Sequence, residues 1–201
     1  MCSSDLEDAL SGFENDARRV AAWLRSGARV LEIAPGPGYL AIALAKLGDF
    51  DIVGLDISRS FVRIASQNAA KAGVAVEFTH GDASEMAFPS DGFDFIVCRA
   101  AFKNFADPLG ALREIHRVLR PGGEALIIDM NKDASNAAID QEVDGMKLGL
   151  INSFITRIIL KTMLRKRAYT KADFQRMAAA TPFGGSEVSE ASMGLDVWLR
   201  K

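Results

Sequence analysis

Apolar residues recur every three or four positions near the start of the chain, at Leu10, Phe13, Ala17 and Val20. This spacing places them on one face of an amphipathic helix. Ser26 and Gly27 then predict its end. The opening segment is therefore expected to be a helix that packs one side against a core.

Runs of strand length alternate with helical patterns along the next hundred residues. The predicted strands cover 30–33, 51–56, 74–80, 93–98 and 124–130. The predicted helices cover about 39–47, a segment capped by Ser58 and stopped at Gly73, and a segment opened by Asp107 and Pro108 and stopped at 120–123. This alternation predicts a parallel sheet with helices on both faces.

The last third of the chain departs from that alternation. A helical segment is expected at about 135–165, and Thr170 predicts the cap of another helix that reaches about residue 180. Two final strands, at about 187–191 and 195–200, are joined by a short turn that contains Gly194 and must therefore be antiparallel. We expect a single α/β domain over 1–201 whose parallel sheet finishes in an antiparallel hairpin.

Composition excludes several classes of protein. The chain has 201 residues, of which 49% are hydrophobic, and its net charge of −2 gives no general attraction to nucleic acid. Cys2 and Cys98 form neither a disulfide framework nor a zinc spacing, so we expect no metal site and a reducing, cytoplasmic location. No apolar stretch is long enough to span a bilayer.

Residues 1–6 are unusual because they back-translate to a string that matches the end of a common sequencing-adapter oligonucleotide. They are interpreted as a non-native start, with an ordinary disordered terminus as the alternative. In the first case Cys2 is not native and the natural protein extends further upstream.

Chemistry-bearing residues gather where the predicted strands end. Glu32 and the loop 34–38 close the first strand, Asp56 ends the second, Asp82 follows the third and Arg99 follows the fourth. In an open α/β sheet, ligands bind outside the carboxyl ends of the strands. Asp56 is suited to accept the hydroxyls of a ribose, Asp82 and the adjacent backbone to read an adenine edge, and Glu32 to face a cation. A sulfonium with an α-amino group suits such an acidic site better than a pyrophosphate does.

Five blocks in this order resemble the class I S-adenosylmethionine (SAM)-dependent methyltransferases, and the ubiquinone/menaquinone-biosynthesis group in particular: VLEIAPGPGYLAIAL, VGLDIS, GDASEMAFP, FDFIVC and LREIHRVLRPGGEALIID. The resemblance covers about residues 28–130. It implies a Rossmann-like seven-stranded sheet of order 3-2-1-4-5-7-6 with strand seven antiparallel, SAM as cofactor and S-adenosylhomocysteine as product. The implied cofactor contacts are Glu32, Ala34, Gly36, Gly38, Asp56, Ile57, Asp82, Ala83 and Arg99.

One position departs from the family pattern. Ala34 stands where the family usually has glycine, and Pro35 and Pro37 flank Gly36. We therefore expect a stiff loop in which position 34 does not adopt a backbone angle that requires glycine.

Two alternative functions are retained. Residues 36–41 also match the dinucleotide fingerprint, with Asp56 downstream, as in an NAD(P)-dependent oxidoreductase. Glu32, Asp82 and the terminal hairpin argue against that interpretation. A SAM-binding protein without transfer activity is the other alternative.

The acceptor should approach just after strand four, so Phe102, Lys103 and Asn104 are candidate substrate contacts. The acceptor is expected to be a small, apolar molecule. No Asn-Pro-Pro-Tyr type signature follows this strand, so methylation of nucleic acid bases or of glutamine is not expected. His80 and His116 are interpreted as structural, and no general base is assigned.

Residues 135–165 are interpreted as a helical lid. Its apolar positions are Ile151, Phe154, Ile155, Ile158, Ile159 and Leu164, and its cations are Arg157, Lys161, Arg165, Lys166 and Arg167. The pattern favours a cover for the active site or a homodimer contact. Peripheral membrane contact through 151–167 is the alternative, since a basic amphipathic helix can lie on a bilayer.

Overall fold

The computed structural model describes residues 3–146 and 149–201, without the side chains of 3–10, 150 and 151. Met1 and Cys2 lie outside the described residues. The interpretation of 1–6 as a non-native start therefore stays a prediction, and so does the part that Leu10 and Ile151 play in their apolar faces.

Seven strands form one sheet in the order β3-β2-β1-β4-β5-β7-β6. The strands are β1 (Arg29–Ile33), β2 (Asp51–Asp56), β3 (Glu77–His80), β4 (Phe93–Arg99), β5 (Leu119–Met130), β6 (Glu187–Ala191) and β7 (Gly194–Arg200). β1 pairs in parallel with β2 and β4, while β7 pairs antiparallel with both β5 and β6. The predicted sheet order and the antiparallel seventh strand are confirmed.

Helices flank the sheet. They are α1 (Ser3–Ala21), α2 (Tyr39–Ala45), α3 (Arg59–Ala72), α4 (Pro108–Val118), α5 (Asn136–Gly145), α6 (Leu150–Ile159), α7 (Arg165–Arg167) and α8 (Lys171–Ala179), with a 3₁₀ turn at Phe102–Asn104 and a π-helical segment at Leu160–Leu164.

Alternation along the strands builds a core on each face of the sheet. Val30 packs with Ala17, Leu40 and Leu44 beneath α1 and α2. Its neighbour Leu31 points the other way, into the core that α4 and α8 cover. This two-sided burial is why the central strands read as continuous apolar runs.

Local capping signals predicted several boundaries correctly. The Ser58 side chain accepts from the Phe61 N–H, and Gly73 ends α3 with a left-handed backbone. Asp107 caps α4, and Thr170 forms a capping box with Asp173 at the start of α8. These signals involve residues within one turn of each other and do not depend on tertiary contacts.

The predicted stop at 120–123 is only partly correct. Leu119 already pairs with Phe93, and the register shifts before Glu124 pairs with Phe95, so β5 begins before the turn-like residues. Backbone bonds from Gly122 to Lys201 and from Lys201 to Gly123 hold this irregular start against the end of the chain.

The predicted helical segment 135–165 is α5, α6 and the π-helical segment. Ile139 and Val143 of α5 pack with Leu160 and with Met130 at the carboxyl end of β5, in a cluster separate from the two sheet cores. Among the residues that the structure describes, no helix is both long and apolar enough to cross a membrane.

Candidate functional site at the carboxyl edge of the sheet

The loop after β1 turns sharply away from the sheet. Ala34, Gly36 and Gly38 all have positive φ, at 55°, 53° and 81°. The Ala34 N–H donates to the Leu55 carbonyl over 2.7 Å, which keeps the residue attached to β2 while the chain leaves the sheet. Gly38 is the N-cap of α2.

The expectation for Ala34 was wrong, because this alanine adopts a left-handed backbone of the kind usually left to glycine. The bond to Leu55 fixes its amide, and Pro35 disfavours the right-handed helical region at the residue before it. The left-handed conformation costs an L-residue roughly 1–2 kcal/mol, which the surrounding loop tolerates.

This strain predicts that Ala34→Gly stabilises the protein by about 0.5–1 kcal/mol, since glycine removes the clash at the cost of some unfolded-chain entropy. Urea unfolding measures the change. The control is Ala43→Gly within α2, which should destabilise by roughly 1 kcal/mol because helical alanine is not strained. Equal losses from the two variants would contradict the strain at position 34.

Glu32 lies beneath the loop and is buried. Its carboxylate accepts the Ala41 N–H over 2.9 Å, in the first turn of α2. Burial raises the pKa of Glu32 to about 8, against the lowering effects of the Ala41 N–H and Arg99. A positive ligand group near this carboxyl would favour its ionised form.

Asp56 ties the end of β2 to the loop. One carboxylate oxygen accepts the Gly36 N–H over 3.0 Å, and the other accepts the Ser58 N–H over 2.8 Å. The residue is 95% buried, whereas the next one, Ile57, is 68% exposed. The Asp56 carboxylate, oriented by two backbone N–H donors, therefore lies next to the exposed apolar side chain of Ile57.

Asp82 follows β3 in an exposed turn. Its carboxylate accepts from both the amide and the hydroxyl of Ser84, at 2.8 and 2.7 Å. The Ser84 N–H, more than any other contact, lowers the pKa of Asp82. The side chain is therefore held as an ionised acceptor at the edge of the site.

Arg99 ends β4, where α1 crosses it. Its Nε donates to Asp16 over 2.6 Å, and its guanidinium lies 4.1 Å from the centre of the Phe13 ring. The guanidinium of this predicted cofactor contact is thus paired with α1. Arg99 secures α1 to the carboxyl edge and lies near enough to lower the pKa of Glu32.

Lys103 is buried beside the end of β5. Its Nζ donates to Asp129 over 2.8 Å and to the Ala100 carbonyl over 2.5 Å, while its amide donates to the other oxygen of Asp129 over 2.9 Å. Phe102 is fully buried and contacts Tyr169 and Phe174. Both residues are structural supports in this arrangement, whereas Asn104 is exposed.

A cavity of about 140 Å³ opens at this edge. Its walls include five of the predicted site residues: Ala34, Ile57, Asp82, Ala83 and Asn104. The other seven predicted residues are not part of this lining: Glu32, Gly36, Gly38, Asp56, Arg99, Phe102 and Lys103. A larger cleft of about 460 Å³, between α1, α2 and α3, includes none of the predicted residues.

Residues 31–127 match the family model described as "Methyltransferase domain". This segment contains the loop and the carboxyl ends of β1, β2, β3 and β4. Residues 31–127 form a methyltransferase domain.

Two curated relatives are named for quinone substrates. The chain is 35% identical over 128 residues to the demethylmenaquinone methyltransferase of Deinococcus radiodurans, covering 62% of this chain and 53% of that protein. It is 33% identical over 139 residues to the 2-phytyl-1,4-naphthoquinone methyltransferase of Synechococcus elongatus, covering 65% and 60%. The chain spans about half the length of the curated relatives it matches.

A solved structure from Methanococcus maripaludis, described as a candidate S-adenosyl-L-methionine-dependent methyltransferase, superposes with a TM-score of 0.79. It is 24% identical and covers 98% of this chain and 91% of its own. At that identity it confirms the class I methyltransferase fold and no more than the fold.

The family implies SAM, and the residues of the domain fit it. A Cβ added at Gly36 would meet nothing within 4 Å, so the loop backbone is open to close approach. Asp56, Ile57 and Asp82 supply a fixed carboxylate, an apolar surface and an exposed acceptor in chain order along one edge. These are the groups that a ribose and an adenine require.

Two supporting residues were missed by the sequence analysis. Asp129 is the penultimate residue of β5 and could have been found by the same strand-end rule that singled out Asp56. Asp16 pairs with Arg99 across 83 residues of sequence, and no local signal announces that contact.

Proposed function

We propose that this chain transfers a methyl group from SAM to an oxygen, nitrogen or carbon atom of a small, apolar acceptor. The family match and the quinone-directed names of the relatives support this proposal. Nothing in these comparisons favours the nicotinamide alternative.

The observation that carries the proposal is the way Asp56 is built into the loop. Its two oxygens each accept one backbone N–H, which orients the carboxylate and leaves further lone pairs for ligand hydroxyls. Ile57 beside it offers an apolar surface. A ribose and its base would therefore be held between the ends of β2 and β3.

Bound SAM supplies an electrophilic methyl group on a sulfonium. The protein's part is to orient the acceptor and to exclude water, which is where proximity gives its rate advantage. Glu32 would favour a cationic group of the ligand. The backbone of the loop 34–38 would contact the cofactor. We propose that residues 135–165 act as the lid, since their cluster includes Met130 at the carboxyl end of β5.

An apolar acceptor is favoured because the cation that ends β4 and the cation that follows it are both paired with carboxylates. Arg99 is paired with Asp16 and Lys103 with Asp129. The neighbouring cavity wall contains Phe105 and Ala106 in addition to Asn104. An anionic acceptor would therefore find no unpaired cation on this segment.

No general base is assigned. His80 is exposed at the end of β3, and His116 lies on α4 against the ring of Phe183. Neither lines the cavity at the strand ends. We further propose a cytoplasmic location, since the one described cysteine, Cys98, is buried and free.

Asp56→Ala is expected to weaken binding of S-adenosylhomocysteine about tenfold to a hundredfold, because hydrogen bonds to a charged group are worth roughly 1.5–3 kcal/mol. Isothermal calorimetry measures the affinity. Comparison with the deoxyribose analogue of the ligand separates a direct contact from a loosened loop. The analogue should bind the wild type weakly and show no further loss in Asp56→Ala. Additive losses would contradict the ribose role.

The raised pKa of Glu32 predicts that cofactor binding depends on pH. With a pKa of about 8, the free carboxyl carries a proton at neutral pH that a cationic ligand group must displace. Affinity for S-adenosylhomocysteine should therefore rise as pH increases from about 6 to about 8 and then level off, with proton release seen by calorimetry in buffers of different ionisation enthalpy. Glu32→Gln should remove the dependence. A flat profile in the wild type would refute this coupling.

Turnover tests the proposal directly. The protein is incubated with SAM labelled in the methyl group and a panel of phenols, amines and quinols, with Asp56→Ala as control. Transfer to an apolar member of the panel, reduced in the variant, supports the proposal. Tight SAM binding with no transfer to any acceptor class would favour the alternative of a binding protein without activity.

A further inference from the structure

Large apolar side chains stand exposed along α6 and the π-helical segment that continues it. Phe154 is 65% exposed and Met163 is 59% exposed, and Ile155, Ile158 and Ile159 lie between them at 40–47%. Their spacing of three and four residues places them on neighbouring positions of one helix surface. A contiguous exposed patch of this kind marks an interaction site. We call these five residues the apolar stripe.

The opposite side of the same segment is fixed to the protein. Leu160 is buried in the cluster that contains Ile139 and Val143 of α5. Lys161 pairs with Asp140 over 2.6 Å, and Arg157 pairs with the same carboxylate over 3.2 Å. These contacts hold the segment against α5. The apolar stripe consequently faces outward and does not cover the cavity at the strand ends.

Cations follow the stripe at its C-terminal end. Lys166 and Arg167 are exposed, and neither forms an ion pair or hydrogen bond with any of the residues that the structure describes. The sequence has no acidic residue between Asp144 and Asp173. The surface thus combines bulky apolar groups with unpaired positive charge.

We propose that the apolar stripe, with Lys166 and Arg167, binds the surface of a membrane that contains anionic lipid. Phenylalanine, isoleucine and methionine suit the boundary between headgroups and acyl chains. Unpaired lysine and arginine complement the negative headgroups.

Charge argues against a second copy of the chain as the occupant. A symmetric contact pairs each face with itself. The described part of this segment, 149–167, offers no carboxylate to meet the cations of the other copy. A lipid surface supplies the missing negative charge.

The proposal goes beyond the methyltransferase function and does not depend on it. The stripe belongs to the segment whose buried side meets Met130 at the carboxyl end of β5. The membrane contact would therefore lie beside the edge of the sheet that contains the cavity, where an acceptor dissolved in the bilayer could reach it.

Vesicle sedimentation of the full chain tests the proposal. Phosphatidylcholine vesicles are compared with vesicles that also contain phosphatidylglycerol, at low and high salt. We expect binding to the anionic vesicles that weakens with salt. Lys166→Gln with Arg167→Gln should lower the partition coefficient about thirtyfold, since each cation near an anionic surface contributes roughly fivefold. Phe154→Ser with Ile158→Ser should lower it at least about tenfold, since buried apolar area is lost.

Matched controls lie outside the apolar stripe. Lys46→Gln with Lys71→Gln removes the same charge from exposed positions just after α2 and on α3, and Leu47→Ser with Phe61→Ser removes apolar groups that are 45% and 43% exposed. Neither control should change vesicle binding by more than about twofold. Circular dichroism and the unfolding midpoint confirm that every variant is folded.

Three outcomes would overturn the proposal. The first is no sedimentation with anionic vesicles at low salt. The second is binding that the stripe and control variants weaken equally. The third is a dimer in analytical ultracentrifugation that Phe154→Ser with Ile158→Ser dissociates, with no vesicle binding, which would assign the stripe to self-association.

Discussion

Replacing Lys103 by methionine is expected to lower the free energy of unfolding by about 3–5 kcal/mol, because it leaves a buried carboxylate without its partner. The side chains of Lys103 and Asp129 are only 5% and 2% exposed. Asp129 would keep the two backbone N–H donors at Lys103 and Met130 and lose the ammonium. Urea unfolding measures the loss.

Two further variants identify the cause of that loss. Lys103→Met with Asp129→Asn removes the orphaned charge and keeps an acceptor oxygen, so it should recover at least half of the stability. Arg18→Met breaks an exposed pair with Glu14, at 60% and 57% exposure, and should cost under about 1 kcal/mol. If the double variant is as unstable as the single one, packing and not charge explains the loss.

Gly38→Ala is expected to destabilise the protein by about 3 kcal/mol. Roughly 1–2 kcal/mol comes from the left-handed backbone, and a similar amount comes from overpacking. The new Cβ would lie 2.8 Å from Cζ of Phe78 and 3.0 Å from Cβ of Ala65. Phe78 has little room to move, because its ring also lies tight against Gly54. Urea unfolding gives the stability, and binding of S-adenosylhomocysteine should weaken as well, since Gly38 is the N-cap of α2.

Gly36 provides the matched control for this prediction. Its φ is also positive, but an added Cβ would meet nothing within 4 Å. Gly36→Ala should therefore lose only the backbone part, about 1–2 kcal/mol. Phe78→Leu combined with Gly38→Ala should relieve part of the clash. Equal losses at the two glycines would contradict the described packing around Gly38.

The sequence predicted the fold closely because its signals are local or periodic. Ser58, Gly73 and Thr170 define helix ends through contacts within a single turn, and buried parallel strands read as apolar runs. The early start of β5 was missed because it depends on pairing with Phe93 and on backbone bonds to Lys201. Those partners are distant in sequence, and no periodicity reports them.

The site was predicted as a set of positions and not as a set of contacts. The strand-end rule found Glu32, Asp56 and Asp82, whose places depend only on where the strands stop. It did not show that Arg99 forms an ion pair with Asp16, or Lys103 with Asp129, because these pairs depend on how α1 and β5 pack. At Ala34 the residue type suggested the wrong backbone, because the hydrogen bond to Leu55 and the following Pro35 together outweigh the preference of alanine.

The structure also changes the view of residues 135–165. Their helices were predicted, but the apolar stripe could have faced the site, a second copy or a membrane. The ion pairs of Arg157 and Lys161 with α5 fix which side is inward. The lid and membrane proposals thus concern two sides of the same segment, one anchored at Met130 and one open to the surroundings.

Calorimetric titration of the purified protein with S-adenosylhomocysteine and, separately, with NADH decides between the two cofactors. We expect saturable one-to-one binding of S-adenosylhomocysteine, weakened in Asp56→Ala, and no binding of NADH. Binding of NADH alone would overturn the proposed cofactor and make the chain a nicotinamide enzyme.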